Sequence, residues 1–88
     1  MKKILIVCGN GLGSSFIVEM NVKKLLKEIN KEASVSHTDL SSAKSENADI
    51  IISAKDIAGQ LSGHPAKIFG LSNLLDNQTL KEILEKNL

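Results

Sequence analysis

"KILIVCGNGLGSS" (Lys3–Ser15) decides the fold. "KILIVC" is an unbroken, β-rich apolar run ended by glycine, the pattern of a central strand buried on both faces. "GNGLGSS" then leads into a segment where Val18, Val22, Leu25 and Ile29 recur at three- and four-residue spacing. That spacing predicts a helix from Ser14 to about Asn30. The unit is strand, glycine-rich turn, helix.

Working outward, the same alternation repeats. "ASVSHT" (Ala33–Thr38) alternates polar and apolar residues and predicts a shorter strand nearer the sheet edge. Thr38 or Asp39 then caps a brief helix through Lys44. "ADIIISA" (Ala48–Ala54) is a second buried strand, followed by a helical turn over Lys55–Leu61 that "SGHP" breaks. "AKIFGL" (Ala66–Leu71) is the last strand. Asp76 or Asn77 caps a final helix with Leu80, Ile83, Leu84 and Leu88 on one stripe. The order βαβαβαβα predicts a single Rossmann-like α/β domain over residues 1–88. Its four-stranded parallel sheet has spatial order 2-1-3-4 and helices on both faces. Ligands of such sheets bind beyond the carboxyl ends of the strands where strand order reverses, here at the first strand, which ends at Cys8.

Composition narrows the function. The net charge of +1 and the near absence of aromatics (Phe16 and Phe69 alone) argue against nucleic acid as a partner. All 11 basic residues are lysines, so no guanidinium fork can clamp a phosphate. One cysteine makes no intrachain disulfide, which fits a reducing cytoplasm. His37 and His64 lie too far apart for recognisable metal spacing. The opening apolar run is too short for a signal peptide, and no segment reads as a membrane span, so the chain is expected to be cytoplasmic, without direct membrane insertion.

The cysteine stands where chemistry is expected. Glycines leave backbone N–H groups free to converge on an anion, and the following helix adds its unpaired N–H groups and positive dipole end. Gly9, Asn10, Gly11, Leu12, Gly13, Ser14 and Ser15 are thus the candidate phosphate loop. The same surroundings favour a thiolate at Cys8, a nucleophile able to carry a phosphoryl group. The bland alternative is a small buried residue preceding an ordinary turn.

Familiar phosphate motifs fail in useful ways. Ser14 stands where a dinucleotide fingerprint needs its third glycine, and no GK[ST] follows. Ser14 also occupies the position where cysteine phosphatases carry arginine, six residues after the cysteine. Without any arginine, stabilising water attack on a phosphocysteine is poorly supported. His37 is either an aid to proton balance near Cys8 or a polar strand-end residue. His64 reads as turn chemistry and Asp39 as a cap. Asp49 belongs to the far edge. Lys55, on the correct edge, either attracts phosphate or is simply solvated.

"ILIVCGNGLGSS", with "HTDLSSAK", "ADIIISA" and "LLDNQTLKEILEK", resembles the IIB components of the bacterial sugar phosphotransferase system, the ascorbate type most closely. Galactitol and lactose/cellobiose types are less similar. The resemblance implies a fold like that of low-molecular-weight phosphatases and a phosphoryl relay. A phosphohistidine of a IIA protein would donate to Cys8, and Cys8 to a sugar held in the membrane IIC permease. It implies no cofactor and no metal. Competing functions are a non-catalytic anion-binding or regulatory module and a cysteine phosphatase relative.

The first helix carries one further oddity. Phe16 and Met20 lie roughly opposite its apolar stripe, on a face continued by Lys23 and Lys27. Either a neighbouring loop covers them, or with Leu12 they form an exposed patch that seats Cys8 against its partners.

Overall fold

The computed structural model describes residues 2–8 and 12–88, the side chains of Cys8 and of residues 12–15 excepted. Eight elements alternate: β1 (Lys2–Cys8), α1 (Leu12–Glu28), β2 (Ala33–Asp39), α2 (Leu40–Ala43), β3 (Ile50–Ala54), α3 (Lys55–Gln60), β4 (Lys67–Leu71) and α4 (Asn77–Asn87). The four strands form one sheet in the order β2-β1-β3-β4, all neighbours parallel. This is the expected topology.

Strand residues alternate between two cores. Ile4 and Ile6 of β1, with Ile50 and Ile52 of β3, pack against Val18, Val22, Leu25 and Leu26 of α1 and Leu80, Ile83 and Leu84 of α4. Leu5, Val7 and Ile51 face the other way, onto Ala43 of α2, Ile57 of α3 and Leu61. With both faces covered, β1 and β3 have no solvent side to keep polar, which is why they read as continuous apolar runs. The apolar stripes expected on the first and last helices are the ones that enter the core.

Element ends differ from expectation by small, explicable amounts. α1 begins at Leu12 rather than Ser14 and ends at Glu28, two residues early. Asn30 takes the left-handed conformation (φ 58°), so Lys31 N–H bonds the Leu26 carbonyl (2.9 Å) and Asn30 N–H the Lys27 carbonyl (3.2 Å). The helix stops because Asn, like glycine, tolerates that geometry. Asp39 rather than Thr38 caps α2, its carboxylate accepting from Ser42 N–H at 2.7 Å. Asp76 rather than Asn77 caps α4, accepting from Thr79 N–H and Oγ1–H at 3.2 and 2.8 Å. Gly63 in "SGHP" has φ 94°, which accounts for the break after α3.

Close contacts fix the outer parts of the sheet. Gly70 of β4 lies so close to α3 that a Cβ there would stand 2.9 Å from Ala58 Cβ and 3.2 Å from Lys55 Cα. At the amino edge, Lys2 Nζ donates to the Asn87 carbonyl (3.1 Å) and Lys67 Nζ to Asn87 Oδ1 (3.2 Å), tying the end of α4 to the starts of β1 and β4. Asp49 also belongs to that edge: its Oδ2 accepts from Lys3 N–H (2.8 Å), and its own N–H donates to the Lys3 carbonyl (2.9 Å).

Candidate functional site

β1 lies between β2 and β3, so strand order reverses at its carboxyl end. Cys8 is the last residue of β1, in register with Asp39 of β2. Four residues later α1 begins, and its first-turn N–H groups have no intrahelical acceptor. No acidic residue stands in that turn to offset the positive end of the helix dipole. Of the expected phosphate loop, Gly9, Asn10 and Gly11 lie outside the described residues. So do the side chains of Cys8, Leu12, Gly13, Ser14 and Ser15.

The neighbours of Cys8 divide by whether their polar groups are already engaged. Asp39 is committed to capping: the Ser42 backbone N–H holds its carboxyl below the usual range. His37, two residues earlier on β2, bonds through Nδ1 to Glu19 of α1. Glu19 is 8% exposed, and its second oxygen meets Lys23 Nζ at 2.9 Å. Burial alone would raise the Glu19 carboxyl, but the bonds from Lys23 and His37 outweigh it and hold the group below its ordinary value. Lys55 opens α3 at the same edge, exposed beside a polar hollow of about 260 Å³ bordered by Ser72, Asn73, Asp76 and Thr79. His64 is elsewhere. Its Nδ1 accepts from Ala66 N–H (3.0 Å) and its Nε2 donates to the Glu46 carbonyl (2.9 Å), so it pins the turn before β4. Among the described residues, no group of three His, Cys, Asp or Glu is arranged to hold a metal ion.

The surface flanking this edge is apolar. Phe16 and Met20 are 53% and 55% exposed, left uncovered by the described loops. Ile17 and Leu75 are equally exposed. Ile17 and Leu75 border a cleft of about 250 Å³, with Val18, Ala54 and Leu74 in its walls. Among the described residues these are the four large apolar side chains left exposed to water.

The sequence model described as "PTS system, Lactose/Cellobiose specific IIB subunit" matches residues 3–86. The chain belongs to this IIB family. It is similar to the "Ascorbate-specific PTS system EIIB component" of Mycoplasma pneumoniae, 35% identical over 94% of this chain and 90% of that one. The protein of the same description from Salmonella choleraesuis is 42% identical over 83% of this chain and 75% of its own. Among solved structures, the lactose-specific IIB component domain from Streptococcus pneumoniae superposes with a TM-score of 0.65. It covers 98% of this chain and 96% of that one at 14% identity, a likeness of fold.

For a IIB domain, the part of the site read least well from sequence is the α1 flank. Glu19 precedes Lys23 by four residues and borders the Val18–Val22 stripe, the one hint that it turns inward. Nothing in the sequence pairs it with His37, 18 residues on. Ile17 and Leu75 were equally silent, since each exposes itself only through the packing of its neighbours. No described helix is long and apolar enough to cross a membrane.

Proposed function

We propose that this IIB domain is a cytoplasmic phosphoryl carrier in which Cys8 is the acceptor. The observation that carries the reading is the position of the chain's only cysteine, at the carboxyl end of the central strand where strand order reverses, four residues before α1. The Cys8 thiolate attacks the phosphorus of a IIA phosphohistidine; the S–P bond forms, the N–P bond breaks, and the imidazole leaves with a proton from solvent. A hydroxyl oxygen of the sugar held in the IIC permease then attacks the same phosphorus. Its proton is lost, the S–P bond breaks, and the thiolate returns. Transfer of this kind is mostly positioning and charge stabilisation. Backbone N–H groups of residues 9–15 serve that purpose, with the hydroxyls of Ser14 and Ser15. The absence of arginine favours handing the group on over losing it to water. The naming of the similar proteins points to ascorbate as the sugar.

Leu12, Phe16 and Met20 are the proposed docking residues, extended by Ile17 and Leu75 around the cleft. Incubation with a phosphorylated IIA protein should label Cys8 with an acid-stable, iodine-labile phosphate, and Cys8→Ser should accept little, because a hydroxyl is far less readily ionised than a thiol. Full labelling of Cys8→Ser refutes the assignment. Steady release of inorganic phosphate from an aryl phosphate would make the protein a phosphatase instead. Phosphate binding without covalent label would make it a binding module.

A further inference from the structure

Helix α1 is attached to the sheet in two different ways. Its second half packs through Val22, Leu25 and Leu26, all apolar. Its first half meets the edge strand through Glu19 and His37. Along β2, Ala33 and Val35 pack on the same core, so apolar contact gives way to an imidazole toward the carboxyl edge. A carboxylate as buried as Glu19 is costly unless paired, and an apolar pair of similar volume would join helix to strand without that cost. The polar pair supplies direction instead, since a hydrogen bond fixes angle and height where methyl groups slide. It acts near the site: His37 is two residues before the register partner of Cys8, and Glu19 is seven after the start of α1. The Phe16 ring stands edge-on to the imidazole, centroids 6.2 Å apart, adding a steric stop on the same flank.

We infer that Glu19 and His37 are positioning residues for phosphoryl transfer: their bond locks the amino-terminal half of α1 to β2 and sets where its first-turn N–H groups meet the phosphoryl group on Cys8. The inference rests on Cys8 being the acceptor. Lys23 supports the pair by holding the second oxygen of Glu19 in place.

The test is transfer from a phosphorylated IIA protein, with donor concentration varied to separate kcat from KM. Glu19→Leu/His37→Leu together replaces the pair by packing apolar groups and should keep the fold. Its kcat should fall about tenfold, since small misplacements at a reacting centre are expensive, while KM for the donor stays within about twofold because the docking side chains Phe16 and Met20 are retained. Glu19→Gln keeps an acceptor for His37 and should retain at least about half of the wild-type kcat. If the double variant does not fold, His37→Leu alone gives the same reading, because Lys23 still pairs Glu19. Wild-type kcat in a folded variant lacking the pair overturns the inference and leaves the carrier role standing. No label on Cys8 of the wild-type protein overturns both.

Discussion

Gly70→Ala tests how tightly α3 is laid on β4. A Cβ at position 70 would stand 2.9 Å from Ala58 Cβ, 3.2 Å from Lys55 Cα and 3.7 Å from Lys55 Cγ. Carbon atoms pack best at about 3.5–4.0 Å, so α3 must retreat by roughly 0.6 Å or more. Lys55 Cα is backbone, and no rotamer change can move it away. The retreat thins the contact that Ile57 and Leu61 make with Leu5, Val7 and Ile51. Overpacking of this kind costs about 1–3 kcal/mol. Against it, alanine restricts the unfolded chain more than glycine, worth roughly 0.4–1 kcal/mol in favour of folding. The net expectation is a loss of about 1–2 kcal/mol, or roughly 5–15 °C in Tm for a domain of this size. Urea unfolding measures it directly. Ala58→Gly removes the nearest atom, so in the double variant Gly70→Ala should cost about 0.5–1 kcal/mol less than it does alone. A Gly70→Ala protein as stable as wild type, or strict additivity in the double variant, would refute the proposed crowding.

Phe16→Ser/Met20→Ser removes two half-exposed side chains and should cost about 1 kcal/mol of stability or less. KM for the phosphorylated donor should rise about tenfold with kcat unchanged. A folded variant with unaltered KM removes these residues from the docking surface. Gly11→Val and Gly13→Val should impair Cys8 labelling more than folding, measured by circular dichroism alongside labelling, because a β-branched side chain crowds a nest of N–H groups. Normal transfer in both would reduce the loop to a turn. Thr79 holds the Asp76 carboxyl below its usual value of 3.8. The unfolded chain therefore binds that proton first as pH falls; the stabilisation is full above about pH 4 and lost as pH falls through the lower folded value. Asp76→Ala should flatten the drop in Tm as pH falls below about 4, and an unchanged slope contradicts the cap's share in it.

Most of the architecture was legible because burial on both faces leaves an unambiguous trace. "KILIVC" and "ADIIISA" have no polar alternation, so each must be central in a covered sheet, and the helical stripes between them require parallel crossovers. The position of Cys8 followed from that topology alone. What stayed hidden was whatever depends on packing across elements. Glu19 stands four residues before Lys23 on α1, and only the fold brings His37 of β2 against it. Gly70 carries no turn signal, and its necessity comes entirely from Ala58 and Lys55 on another element. The exposure of Phe16 and Met20 was readable as one of two outcomes, since a helical wheel gives the face but not its cover.

The contacts of Lys2 and Lys67 with Asn87 bear on how this domain can be joined to others. They bring the start of β1 and the end of α4 to one edge of the sheet, opposite the edge where Cys8 stands. A chain continuing from either end, whether a tag or a tether to a partner, departs from that far edge. To reach Cys8 it must run the length of β1, seven residues or roughly 23 Å at about 3.3 Å each. A flexible tether spans that distance comfortably only at about 18 residues or more. Shorter attachments hold the domain by its back and leave the Cys8 edge facing outward.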